Sequence, residues 1–418
     1  MNSTLILFLQ NLTITKNFSK YLFVLFLVVG LISCTSTRRI LNNTSGIEIS
    51  PIRVLLEEPD SGYNILVNSK IILSDNSGII AAVEKGNEIS FSNSKGLVNC
   101  SIRDQEFRSG TFQITSTDSI IRINDKKFRG IIKIIAYDAK IKIVNRISLE
   151  DYIKGVMTKE MPPGKGTENY EALKAFSICV RTYALNKINE NKNFFDIYPD
   201  TRDQVYGGVE AETDYTNSIV DETFGEILTY NNKPATIFYH STCGGFTEAV
   251  ENVFGKNPIP YLKSIEDGVE NYCSISPRYE WTEEYQSGVI IDRLLNAKLV
   301  NNSYTQLKDI KIISRFPSGR VNELSITLTG ADGNEKEISI FGNSIRSIIR
   351  SSDNRSILKS NFFNIEFDGE KIIIEGRGSG HGVGLCQWGA IGQSRSGVSY
   401  LEILNHYYPG TKVEKFYD

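Results

Sequence analysis

The sequence predicts an α+β fold: a β-rich stretch over residues 50–147, then a mixed core over 148–418. Two observations predict it. From Ile52 to about Ile147, short β-branched runs alternate with Gly, Asn, Asp and Ser, and no helical period of useful length appears. From Ser148 onward apolar residues recur at helical spacing, and helical and strand-like runs then mix to the end of the chain. The hydrophobic fraction, 40%, is ordinary, so a packed core is expected. The length allows roughly two or three domains.

Taken in order, the first element is a leader. Lys16 and Lys20 precede thirteen mostly apolar residues, "YLFVLFLVVGLIS", and Cys34 follows Ser33 at once. The run is short for a membrane span. Leu31-Ile32-Ser33-Cys34 resembles the lipobox of bacterial lipoproteins, in which the Cys is acylated and begins the mature chain. A plain signal peptide or simple anchor is the other reading. Both make residues 1–34 an export signal, and the first adds a lipid at Cys34 that holds the chain on a membrane surface. Residues 35–49 are polar and read as a tether.

The β-rich region contains "IRVLLE", "YNILVN", "GIIAAVE", "EISFSN", "SIIRIN", "GIIKIIAY" and "IKIVNRISL", which predicts about seven or eight strands. Leu149, Tyr152, Ile153, Val156 and Met157 then mark one face of a helix capped by Ser148 and stopped by Pro162 and Pro163. Thr167 is expected to cap a second helix, with Glu168 in its first turn and Leu173, Phe176, Val180, Tyr183 and Ala184 on its apolar face. Further on come a helical stretch near 209–224 and a hairpin turning at Asn231–Pro234. Strands follow within 280–372, with a helix near 341–351, and a last helix lies at about 398–407.

The net charge of -3 comes from basic and acidic residues mixed along the chain, which argues against a nucleic-acid partner. "GRGSGHGVG" lacks the Lys-Ser/Thr pair and the βαβ setting of a phosphate loop. Ser241 and Thr242 lie in no G-x-S-x-G elbow, so serine-hydrolase chemistry is not expected.

Glu160 ends the first helix. A carboxyl at that end meets the negative pole of the helix dipole, which disfavours its ionised form, the direction a general acid requires. The same position also suits a solvated helix-end residue. His240 with Cys243 and His381 with Cys386 form two short pairs that suggest a zinc site on paper, but the two pairs lie far apart in sequence. A Cys243–Cys386 or Cys243–Cys273 disulfide and free thiols are the other states. No metal and no cofactor are assigned from the sequence. Cys179, inside an apolar helix, is expected to be a small core residue.

Taken together, "SLEDYIKGVMTKEMP", "EALKAFSICVRTYAL", "DQVYGG", "ATIFYHSTCGGFTE", "PYLKSIED", "GRGSGHGVGLCQWGA" and "LEILNHYYPGT" resemble, in order, the motifs of the SpoIID/LytB family of stage II sporulation protein D and the amidase enhancer. The resemblance covers about residues 50–415. It implies a peptidoglycan-active protein of the cell envelope, either a lytic transglycosylase or a module that stimulates a cell-wall amidase. It implies that the Glu of "EMP", Glu160, is the general acid. Arg181, Gln204, Tyr206, His240, His381 and Gln387 fall in matching motifs and are the candidate substrate-binding residues, with Trp388 available to stack on a sugar. Some sporulation members carry His and Cys before the Gln of "Q-x-Y", linked to a bound zinc. Arg202 and Asp203 stand there in this chain, so that zinc is not expected.

Overall fold

The computed structural model describes residues 49–190 and 194–418. The leader, the tether up to residue 48 and the proposed lipid site at Cys34 lie outside the described residues. Among those residues no helix is long and apolar enough to cross a membrane.

Twelve strands occupy residues 52–147. Six form one sheet in the order Ile52–Glu57, Lys140–Ile147, Ile131–Tyr137, Thr111–Ser116, Ile71–Asp75, Gly78–Val83. Four more form a second sheet, Gly62–Leu66, Glu88–Ser94, Leu97–Ile102 and Gln105–Ser109. Ile120–Ile123 and Lys126–Arg129 make a hairpin. Period-two burial explains the packing: Ile132 and Ile134, Phe112 and Ile114, and Ile89 and Phe91 all point inward. The Phe91 and Phe112 rings, 6.0 Å apart, join the two sheets. The seven expected strands are present. The five not expected (71–75, 97–102, 105–109, 111–116 and 126–129) are mainly partners across tight turns whose left-handed residues include Lys95, Arg103 and Asn124.

The strand Lys140–Ile147 runs straight into helix α1, Leu149–Glu160. Ser148 caps it, its hydroxyl accepting from the Asp151 N–H at 3.2 Å, and the five expected apolar positions are buried. Helix α2, Tyr170–Asn189, begins three residues after Thr167, with Asn169 at the cap position. It is buried on nearly all sides from Ala172 to Leu185, as befits a central helix. Around it lie α3 (Asp214–Glu222), α7 (Gln387–Arg395) and α8 (Tyr400–Tyr407). Between these in sequence come α4 (Val250–Phe254), α5 (Ser287–Asn296) and α6 (Ser344–Ile349). The sequence pattern reveals none of α4, α5 and α7: α4 is barely one turn, α5 lies among strands and α7 follows a glycine-rich run.

Residues 281–374 contain a hydrophobic core of their own, from Trp281 and Tyr285 through Leu324 and Ile326 to Ile374. It lies between two three-stranded sheets and helices α5 and α6. The expected single core over 148–418 therefore holds a β-rich module within it.

One short parallel pairing positions the site. Tyr239–His240 lies against Leu385–Cys386, which brings "YHSTCGG" beside "GHGVGLCQW". Glycine permits this approach: at Gly384, with φ +71°, a Cβ would stand 2.0 Å from the Phe238 carbonyl oxygen.

Candidate functional site

Glu160 is the last residue of α1, and Met161 continues in extended conformation before the two prolines. Its side chain is half-buried. The Val205 N–H donates to Oε1 at 2.6 Å. Gln387, the first residue of α7, donates from Nε2 to the Glu160 carbonyl oxygen at 2.9 Å. Burial raises the pKa of the Glu160 carboxyl, and the hydrogen bonds from Val205 and Gln387 offset part of that rise. Tyr152, Tyr183 and Tyr239 lie close enough to sense its charge. The outcome is a fixed carboxyl biased towards its protonated form among phenols, which is a proton donor's setting.

The nearby acid Asp203 is already engaged. Its Oδ1 accepts from Tyr183 Oη at 2.6 Å and lies 3.1 Å from Lys187 Nζ, and its Oδ2 accepts from the Tyr198 N–H at 2.9 Å. Arg202 is exposed and paired with Asp200. An exposed cation beside an acid with both oxygens satisfied does not fit the zinc linked to these positions in some sporulation members, and no step is drawn through that metal.

The structure separates the expected substrate-binding residues. Gln387 touches Glu160. Gln204 precedes Val205, whose N–H holds Glu160, but its own side chain is buried, with Oε1 accepting from Tyr152 Oη at 3.0 Å. Tyr206 is a core residue: its ring stacks on Tyr152 at 5.3 Å, and its hydroxyl donates to Asn145 Oδ1 at 2.8 Å.

Arg181 is fully buried and out of reach of a substrate. Its Nε and Nη2 each donate to the Glu150 carboxylate at 2.8 Å, and Nη1 and Nη2 donate to the Glu226 and Val220 carbonyls at 3.0 and 3.2 Å.

His240 and His381 pack together, ring centroids 5.5 Å apart, but with Arg320 and Arg346 rather than with Glu160. Strand alternation explains this, since Tyr239 is the residue that senses Glu160 and its neighbour His240 points the other way. His240 Nδ1 bonds the Val383 carbonyl at 3.2 Å, and His381 Nδ1 accepts from the Val383 N–H at 3.0 Å. Burial, then the Arg346 charge, push His381 down to about 4. Burial also lowers His240 well below its ordinary value. Trp388 is half-buried, and its backbone N–H donates to the Ser241 carbonyl at 3.0 Å.

The two His–Cys pairs do not converge as drawn on paper. Cys243 and Cys386 meet Cys273 and Asp267 instead, and the histidines stay outside that group. Val205, Tyr183 and Tyr239 were missed as neighbours of Glu160, although each adjoins or falls within a quoted motif. Cys179 is a core residue, as its helix suggested.

The α+β frame fixes at the end of α1 a half-buried carboxyl whose pKa burial raises. Residues 137–230 match the family described as SpoIID, Stage II sporulation protein, and residues 274–384 match a domain of unknown function, DUF8618, over the stretch that carries the separate β-rich core. The chain is 31% identical over 373 residues to an uncharacterised protein of Brachyspira hyodysenteriae, covering 87% of this chain and 90% of that one. It is 30% identical over 294 residues to stage II sporulation protein D of Bacillus amyloliquefaciens, covering 65% of this chain and 76% of that one. It is also 30% identical over 305 residues to the amidase enhancer of Bacillus subtilis, covering 63% of this chain and only 40% of that protein. The chain belongs to the SpoIID/LytB family.

Proposed function

We propose that this protein is an exported, lipid-anchored enzyme of the cell envelope that cleaves the glycan strands of peptidoglycan as a lytic transglycosylase. The observation that carries this reading is Glu160: a carboxyl at a helix C-terminus, raised in pKa by burial and fixed by the Val205 N–H. Protonated Glu160 gives its proton to the glycosidic oxygen as the C1–O bond breaks. The C6 hydroxyl of the same sugar attacks C1, and the Glu160 carboxylate takes the hydroxyl proton. The products are a 1,6-anhydro sugar end and a free hydroxyl on the leaving strand, with no water consumed. One carboxyl therefore suffices, where ordinary glycosidases use two. Gln387 acts as a positioning residue that holds the end of α1.

A second reading, stimulation of a partner amidase without glycan cleavage, rests on the similarity to the amidase enhancer. The test is Glu160→Gln in two assays. Loss of a general acid costs about 10²–10⁴-fold in glycan cleavage. An unchanged cleavage rate removes Glu160 from the chemistry, whereas cleavage by neither protein alongside retained amidase stimulation supports the second reading.

A further inference from the structure

Cys243, Cys273, Cys386 and Asp267 each present one ligand atom, and the four atoms lie within 4.8 Å of one another. All four residues are fully buried. They come from separate parts of the chain: the turn after Tyr239–His240, the loop at Asp267, the short 3-10 turn Tyr272–Ile275 and the cap position of α7. A disulfide would account for two of these thiols but not for a third thiol and a carboxylate at the same point. We propose that they form a structural zinc site with three thiolates and one carboxylate as ligands.

The chemistry of the donors selects this ion. Thiolates favour soft or borderline metals, and a four-coordinate set supplied wholly by protein is the closed arrangement of a structural zinc. Tetrahedral zinc with Zn–S bonds of about 2.3 Å sets its sulfurs roughly 3.8 Å apart. The Cys243 and Cys273 sulfurs are 3.4 Å apart, and 4.8 Å bounds the whole set, so small adjustments admit the ion.

The surroundings point the same way. Asp267 is a fully buried carboxyl held by a phenol and a backbone N–H, neither of them a cation. Its oxygens are aimed by partners, Oδ1 accepting from Tyr407 Oη at 2.8 Å and Oδ2 from the Cys273 N–H at 2.7 Å. Cys386 Sγ accepts from the backbone N–H groups of Cys243 and Gly389 at 3.1 and 3.2 Å, which suits a thiolate. Four anionic ligands exceed the charge of the ion, and fully buried Arg320, which donates to the Cys243 carbonyl at 2.7 Å, partly offsets the excess. Gly389 leaves room for this assembly: a Cβ there would stand 2.1 Å from Tyr407 Oη and 2.4 Å from Asp267 Oδ1.

The site would staple the "STCGG" turn to the start of α7. The residue after Cys386 is Gln387, which holds the end of α1 at Glu160. The ion would brace the start of α7, with no open position for substrate.

The test is metal analysis of the full chain purified from zinc-supplemented cells without chelator. One zinc per chain is expected, released in step with modification of cysteine thiols by an organomercurial. Cobalt substitution should give thiolate-to-cobalt charge-transfer absorption. Tyr407→Phe, which loses only the hydroxyl aimed at Asp267, should weaken zinc affinity about 10–100-fold. Cys100→Ser, in the β-rich region, should leave it unchanged. Wild-type protein that is free of zinc overturns the proposal, whether its thiols are all reactive or intact mass shows a disulfide. Zinc that persists in a Cys243→Ser/Cys273→Ser/Cys386→Ser variant overturns it as well.

Discussion

Arg181 was expected to bind substrate and is found inside the protein, which gives a measurable consequence. Its guanidinium donates four hydrogen bonds of 2.8–3.2 Å, two of them to Glu150. Arg181→Met keeps much of the side-chain volume but removes the cation. Glu150, its side chain 12% exposed, then loses both guanidinium hydrogen bonds and still accepts from the Gly225 N–H at 3.4 Å. Removing one partner of a buried pair costs about 3–5 kcal/mol. The double variant Glu150→Gln/Arg181→Met removes both charges and should recover part of that loss, because replacing a whole buried pair is often close to neutral. Urea unfolding of wild type, both single variants and the double variant completes the cycle. Fluorescence is a suitable signal, since Trp388 adjoins the α2 region and Trp281 lies in the separate β-rich core. A loss under about 1 kcal/mol for Arg181→Met, together with a raised KM for glycan, would refute the structural role.

Three further outcomes follow. Gly155→Ala drives a Cβ to 2.5 Å from the Tyr206 ring and should cost about 1–3 kcal/mol, read as a lowered unfolding midpoint. His381 is depressed from 6.5 to about 4, so the unfolded chain binds its proton first; stability present near neutral pH is lost as pH falls from 6.5 towards 4, on the order of 3 kcal/mol. His381→Asn should flatten that limb in urea midpoints taken across the same range. Glu160 has the opposite sign: its folded pKa is raised, so stability falls as pH climbs through it. Glu160→Gln removes that term and should unfold at equal or higher urea concentration at neutral pH while losing activity.

Much of this was legible in the sequence where a single period governs burial. The face of α1 followed directly from Leu149, Tyr152, Ile153, Val156 and Met157, and its end from the two prolines. Of the missed strands, 97–102, 105–109 and 126–129 pair across turns in which Lys95, Arg103 and Asn124 take left-handed conformations, without the Asn-Gly or Asp-Gly signal that would mark them. The site was partly legible: Glu160 and Gln387 do meet. Arg181 was misplaced because α2 is buried all round, so no apolar stripe shows which residues face outward. His240 was misplaced because one step along a strand reverses the side chain, and Tyr239 takes the place beside Glu160. The convergence of Cys243, Asp267, Cys273 and Cys386 depends on the parallel pairing of residues 239–240 with 385–386, a long-range contact that spacing alone does not reveal.

The most direct test of the central claim is digestion of purified glycan strands in ¹⁸O-labelled water, with wild type and Glu160→Gln compared and the new ends read by mass spectrometry. The account predicts anhydro ends without label from the wild type and none from the variant. Labelled reducing ends would show that water, not the C6 hydroxyl, attacks, and anhydro ends from Glu160→Gln at the wild-type rate would remove Glu160 from the chemistry.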